Sequence, residues 1–85
     1  MDISRDEQRV LHALAQGGSI RPLKTQNGRI ERLDLHTRDG WVLPNLPLVV
    51  FRKLLRKKAI KSQQSQPYRI TRRGLELVRS EVDNR

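Results

Sequence analysis

Cysteine is absent from the chain, so neither a disulfide framework nor a thiolate zinc site is available to it. That usage fits a cytoplasmic protein. Aromatic residues are scarce, with one Trp, one Tyr and one Phe. Stacking platforms for RNA or single-stranded DNA are therefore poorly supplied, Tyr68 alone lying among cations. No apolar run approaches the roughly 20 residues of a membrane span. The first ten residues, MDISRDEQRV, place acids where a signal peptide needs cations and an apolar run. A soluble, cytoplasmic protein with no membrane partner is expected. Acids are themselves missing from one long stretch, since none occurs between Leu46 and Leu75.

What remains is a small, basic chain. Its 85 residues set the expectation of one domain, 1–85, with a core near the lower limit for folding alone. The net charge of +9 is unevenly spread: residues 1–45 hold seven Lys/Arg against six Asp/Glu, whereas residues 46–85 hold eleven against three. A basic half beside a nearly neutral half describes a charged face, and such a face raises on-rates for anionic partners.

The local signals divide the chain into elements. Ser4-Arg5-Asp6-Glu7 is a capping box, with Asp6 and Glu7 also favouring the positive end of a helix dipole. Val10, Leu11 and Leu14 follow at helical spacing, and Gly17-Gly18 supplies a stop, so a helix is expected over about 4–16. Asn27-Gly28 and Asp39-Gly40 are hairpin signals, Asn27-Gly28 being read as a type I′ turn with positive φ at both positions. Ile30, Leu33 and Leu35 alternate imperfectly with polar residues, a pattern that allows for a bulge. Pro22 places the first strand, about 19–25, on an edge. With Trp41-Val42-Leu43 these pieces make an antiparallel meander.

Pro47 then opens a second helix. At about 100° per residue from Leu48, the apolar residues Leu48, Val50, Phe51, Leu54 and Leu55 occupy one arc, and Arg52, Lys53, Arg56 and Lys57 the other. Val49 falls among the cations, where a single exposed valine is the ordinary explanation. Lys58 projects into the apolar arc, consistent with snorkelling or with a helix that has ended. AIKSQQSQPYRI reads as a short hairpin, and Thr71 caps a last helix over about 72–82 with Leu75, Val78 and Val82 as its stripe. The expected fold is a small single α+β domain, winged-helix-like, with an antiparallel β meander between the first and second helices.

Catalysis has little to stand on. His12 and His36 are far apart, and no Ser, His and Asp set has a recognisable spacing. Asp34 and His36 share a strand face near Asp39, but a metal or an acid–base pair needs a third fixed partner, and a solvated face of mixed charge is the better reading. Gly17-Gly18 ends a helix where phosphate loops open one. No enzyme activity, cofactor or metal is expected. The basic stretch differs in quality. Arg52, Lys53, Arg56, Lys57, Lys58, Lys61, Arg69, Arg72 and Arg73 fall on one helix, its hairpin and the start of the next helix, with no acids for i,i+4 pairing. An anionic partner, nucleic acid or acidic protein, is expected; if about six cations neutralised phosphates of duplex DNA, log K would fall with log salt at a slope near −5.

The blocks SRDEQRVLHALAQGG, FRKLLRKKAIKS, QPYRITRRGLELVR and the terminal DNR resemble the YjhX toxin family along essentially the whole chain. The likeness departs at the hairpin tip, where an Asn-Gly pair is common in the family and this chain has Gln64-Ser65. The resemblance implies a non-enzymatic toxin of a toxin–antitoxin pair that inhibits DNA topoisomerase I, with an acetyltransferase-like antitoxin. It carries no residue-level site. Arg52, Lys53, Arg56, Lys57, Lys61, Arg69, Arg72 and Arg73 are therefore the candidate surface for topoisomerase I or DNA on charge alone. A winged-helix DNA-binding transcriptional regulator, with the 47–57 helix in the major groove and Lys61 to Arg69 as wing, uses the same surface.

Overall fold

The computed structural model describes the backbone of residues 3–82 and the side chains of residues 3–79. Helix α1 (Arg5–Ala15) starts on the expected capping box: the Glu7 amide donates to Ser4 Oγ at 3.2 Å, and the Ser4 amide donates to Glu7 Oε1 at 3.0 Å. It ends because Gly17 takes a φ of +107°, which lets the Gly17 and Gly18 amides reach back to the Leu14 and Ala13 carbonyls. Those two bonds satisfy carbonyls that the last turn leaves unpaired. Gly18 is needed for space, since a Cβ there would lie 2.7 Å from the His36 carbonyl oxygen.

Strands β1 (Ser19–Lys24), β2 (Ile30–His36) and β3 (Val42–Leu43) form an antiparallel sheet in that order, with β1 and β3 at its edges. Pro22 therefore sits on an edge strand, as expected. The pairing steps from Leu23↔Arg32 to Lys24↔Ile30, so Glu31 is the extra residue of a bulge on β2. The first turn differs from the expected type I′ form. Only Gly28 has a positive φ, +82°; its amide donates to the Thr25 carbonyl at 3.0 Å, and the Thr25 amide donates to that of Arg29 at 2.8 Å. This is a three-residue loop, a type I turn closed by a left-handed glycine. Thr37 to Trp41 repeats it, with Gly40 at +96°. In both loops the threonine hydroxyl also accepts from the amide four residues on, Arg29 or Trp41.

Helix α2 (Leu48–Arg56) opens after Pro47 without a side-chain cap. It ends at Lys58, whose φ of +58° sets up the bonds Lys58 to Leu55 and Ala59 to Leu54. Lys58 thus marks a helix stop, occupying the place that Gly17 holds on α1. Strands β4 (Ile60–Lys61) and β5 (Arg69–Ile70) pair antiparallel. Gln64 and Ser65 at the tip have φ values of +51° and +63°, and the Gln66 amide closes the turn onto the Gln63 carbonyl. Without an Asn-Gly pair the tip still takes the type I′ shape that Asn-Gly prefers. Helix α3 (Arg72–Val82) is capped by Thr71, whose Oγ1 accepts from the Gly74 amide at 3.1 Å and donates to the Lys58 carbonyl at 2.6 Å.

The core lies between α1, α2, α3 and the inner face of the meander, with Leu11, Ile20, Leu33, Phe51 and Leu54 essentially sealed from water. The Tyr68 and Phe51 rings meet edge to face, centroids 5.0 Å apart, a pairing worth about 1 kcal/mol beyond its area. Its backbone exchanges two bonds with Ile20, which hook the small hairpin onto β1. Among the described residues of α3, Gly74, Leu77 and Val78 are buried, with Leu75 only half-buried. The expected stripe is thus corrected at Leu75, because α3 presses Gly74 close against the Ala59 carbonyl and Ile70, which turns the side through Gly74, Leu77 and Val78 inward; the Val82 side chain lies outside the described residues. The fold is α+β with an antiparallel meander between the first two helices. The order α2, hairpin, α3 is that of a winged helix. Residues 16–47, however, hold the meander and not the 3–4-residue turn of a helix-turn-helix pair, so that likeness rests on element order alone.

Candidate polyanion-binding surface

The amphipathic pattern of α2 sets Val50, Phe51 and Leu54 inward and leaves Arg52, Lys53 and Arg56 exposed on its outer side. The β4–β5 register then places Lys61 directly opposite Arg69. Like charges across a strand pair are destabilising by a few tenths of a kcal/mol or more in water. Arg72 and Arg73 occupy the first turn of α3, which contains no acid; there the helix dipole also opposes them. Arg73 has a neighbour in Glu76 at 3.9 Å, but both side chains are mostly exposed, so the contact contributes little.

Lys61, Arg69 and Arg72 come together around an open concavity of about 410 Å³, with Gln63, Gln66 and Thr71. Arg52, Lys53 and Arg56 form a separate cationic row along α2. Arg73 lies one residue beyond the concavity's rim. The Lys57 ammonium is turned the other way, toward the buried Glu7, at 2.7 Å from Oε2. Its place on the helix was a signal of this: about 180° from Leu48, beside the start of the apolar arc. Burial acts to raise the pKa of Glu7, but the Lys57 hydrogen bond, the two bonds with Ser4 and the charge of Lys57 outweigh it, and the carboxyl titrates below its ordinary value. Lys57 therefore ties α2 to the first turn of α1.

The remaining candidates form no reactive site, and the expected solvated strand face is corrected at Asp34, which is only 7% exposed. Arg32 holds the Asp34 carboxylate through Nε and Nη2 at 3.0 and 3.2 Å, so both carboxylate oxygens that might have served a metal with His36 are engaged. His12 is exposed and touches Gln16 at 3.4 Å. Among the described residues no group of three His, Asp or Glu is placed to hold a metal. None of their helices is long and apolar enough to cross a membrane. Val49 is exposed beside the cations, with Leu48 exposed next to it.

A protein-family model described as "putative toxin of bacterial toxin-antitoxin pair" matches residues 1–85. Three relatives cover the full length of both chains: UPF0386 proteins of Chelativorans sp. strain BNC1, 62% identical, and of Rhizobium etli and Agrobacterium fabrum, each 59% identical. No solved structure matches.

Proposed function

Because the chain belongs to the YjhX toxin family, we propose that it is a non-enzymatic toxin that inhibits DNA topoisomerase I by laying its cationic face on the enzyme or on the DNA the enzyme holds. What supports this reading is the run from Leu46 to Leu75, which holds no acid and carries its cations on α2, the hairpin and the start of α3. There Lys61 faces Arg69, and Arg72 and Arg73 stand at the positive end of a helix. Each of these placements costs stability in the isolated chain and becomes favourable beside a phosphate or a carboxylate. Arg52, Lys53 and Arg56 extend the surface along α2, where guanidinium groups can take oxygens in pairs. Lys57 serves chiefly to hold α2 in place. In this reading the protein acts in the cytoplasm, and an acetyltransferase-like antitoxin neutralises it. The alternative, a winged-helix DNA-binding transcriptional regulator, is not favoured, since the meander stands where the helix before the recognition helix would be.

Relaxation of supercoiled plasmid by topoisomerase I tests the proposal. Added protein should slow relaxation, and Arg52→Glu with Arg56→Glu should abolish the effect while circular dichroism stays unchanged. Undiminished relaxation at saturating protein would sink the reading. Duplex binding measured alone tells DNA coverage from an action on the enzyme: DNA coverage requires a steep salt dependence.

A further inference from the structure

Residues 40–51, GWVLPNLPLVVF, contain no charged side chain in a chain of net charge +9. Among the described residues, all but one of the exposed large apolar side chains fall in it: Trp41 at 72% exposure, Val42 at 45%, Leu43 at 53%, with Leu48 and Val49. Three of them lie on or against β3, an edge strand of the meander.

The two edges of that sheet are built differently. The β1 edge carries Arg21, Pro22 and Lys24, and its start is already covered by the two backbone bonds between Ile20 and Tyr68. Charge, proline and coverage are the devices that stop a strand edge from pairing with another chain. The β3 edge has none of them until Pro44. Its backbone is also open at a defined place. The Thr37 amide bonds the Trp41 carbonyl, and Leu35 stands opposite Leu43. In an antiparallel ladder, bonded pairs alternate with non-bonded ones. Val42, opposite His36, therefore directs its N–H and C=O away from β2.

We infer that this edge is a homodimer interface, in which β3 pairs antiparallel with β3 of a second copy about a two-fold axis through Val42. The occupant follows from the charge distribution. An interface made of one patch meeting itself must be self-complementary. The charged residues beside it, Arg38 and Asp39 in the turn and Asp6 and Arg9 on the adjoining groove, balance in sign, and an uncharged apolar strand is compatible with itself. The register has a direct consequence. With Val42 opposite its own copy, Trp41 stands opposite the other copy's Leu43, on the same sheet face. Leu43 lines a mainly apolar groove of about 320 Å³ with Val10, Ala13, Leu35 and Val50, and with Asp6 and Arg9, one charge of each sign. Each Trp41 thus covers the groove of the other subunit, and both leave water. Pairing at β3 joins two cationic surfaces in one particle without placing one against the other in the interface itself.

Sedimentation velocity and Trp41 emission across a dilution series test this, because Trp41 is the only tryptophan. The expected result is a monomer–dimer equilibrium that persists at high salt, with emission shifting to longer wavelength on dilution. Val42→Lys and Trp41→Arg should each weaken association roughly tenfold or more. Both change exposed side chains, so circular dichroism should report an intact fold. Leu23→Lys, on the guarded β1, should leave association unchanged. A monomer at every concentration overturns the proposal. So does a dimer that survives Val42→Lys, or one that dissolves in salt and so depends on the cations.

Discussion

The amino-terminal part of the chain, residues 3–46, and the carboxy-terminal part, residues 47–82, meet the same local requirements with different residues. In the first part the positive-φ positions are Gly17, Gly28, Gly40 and Asn45; in the second they are Lys58, Gln64 and Ser65. Helix α1 has a complete capping box and acids in its first turn, whereas α2 starts on Pro47 with neither and α3 starts on two arginines. Asp34 in the meander is paired with Arg32, while Lys61 in the hairpin faces Arg69. A left-handed conformation costs a non-glycine residue about 1 kcal/mol, and the charge placements add to that. The contrast shows a scaffold that follows local preferences joined to a region that departs from them where cations gather. Departures of this kind are where working surfaces are expected.

The largest effect should come from the inward side of α2. Phe51→Ala should cost about 3–5 kcal/mol in urea unfolding, while Arg52→Glu with Arg56→Glu, one turn apart on the outer side, should cost no more than about 0.5 kcal/mol for each change. Comparable losses would break the distinction between a buried and a working side. Next comes the tie between the two parts. Glu7→Gln should destabilise by about 1–2 kcal/mol, since it weakens the cap and takes a buried carboxylate away from Lys57.

The same residue predicts a pH dependence. The native Glu7 carboxyl titrates below the ordinary value of 4.5, so the unfolded chain binds its proton first as pH falls. Its contribution is complete above that value and is lost as pH drops through the lower native one. Chemical denaturation across this range should therefore show a weaker acid dependence in Glu7→Gln than in the parent. A comparable effect belongs to Gly74, where a Cβ would collide with the Ala59 carbonyl oxygen and the Ile70 side chain; Gly74→Ala should lower stability by about 1–3 kcal/mol. The smallest changes test the turns directly. Lys58→Gly and Ser65→Gly should each raise the unfolding midpoint, by about 0.5–1 kcal/mol of stability, whereas Gly17→Ala should lower it by about 1 kcal/mol. If Lys58→Gly weakened the fold, the left-handed strain assigned to the second part would be wrong.

Much of this arrangement could be read from the chain because its signals are local. A capping box, a left-handed glycine and a 3.6-residue apolar repeat each act within a few residues, and α1, α2 and α3 appear within one or two residues of their expected ends. The first hairpin turn departs from the expected form for a reason of the same kind: Asn-Gly suits a type I′ turn, but Thr25 two residues earlier bonds across the loop and favours a three-residue form. The inward stripe of α3 runs through Gly74, Leu77 and Val78 because packing against distant residues decides which side of a helix is buried. Lys57 could not be separated from Arg52, Lys53 and Arg56 by charge, since its partner lies fifty residues away. Nor could Trp41, Val42 and Leu43 be known as exposed, because an apolar run reads as core wherever it occurs.

By itself the sequence determined the order and ends of the helices, the existence of the meander, and a carboxy-terminal part rich in cations and nearly free of acids, since each depends on spacing along the chain. Tertiary structure alone decided that Glu7 draws Lys57 inward and that Lys61 stands opposite Arg69. It also decided that Lys61, Arg69 and Arg72 share one concavity and that the β3 edge is left bare. These are contacts between distant segments, chosen by packing and register, and no local pattern encodes them.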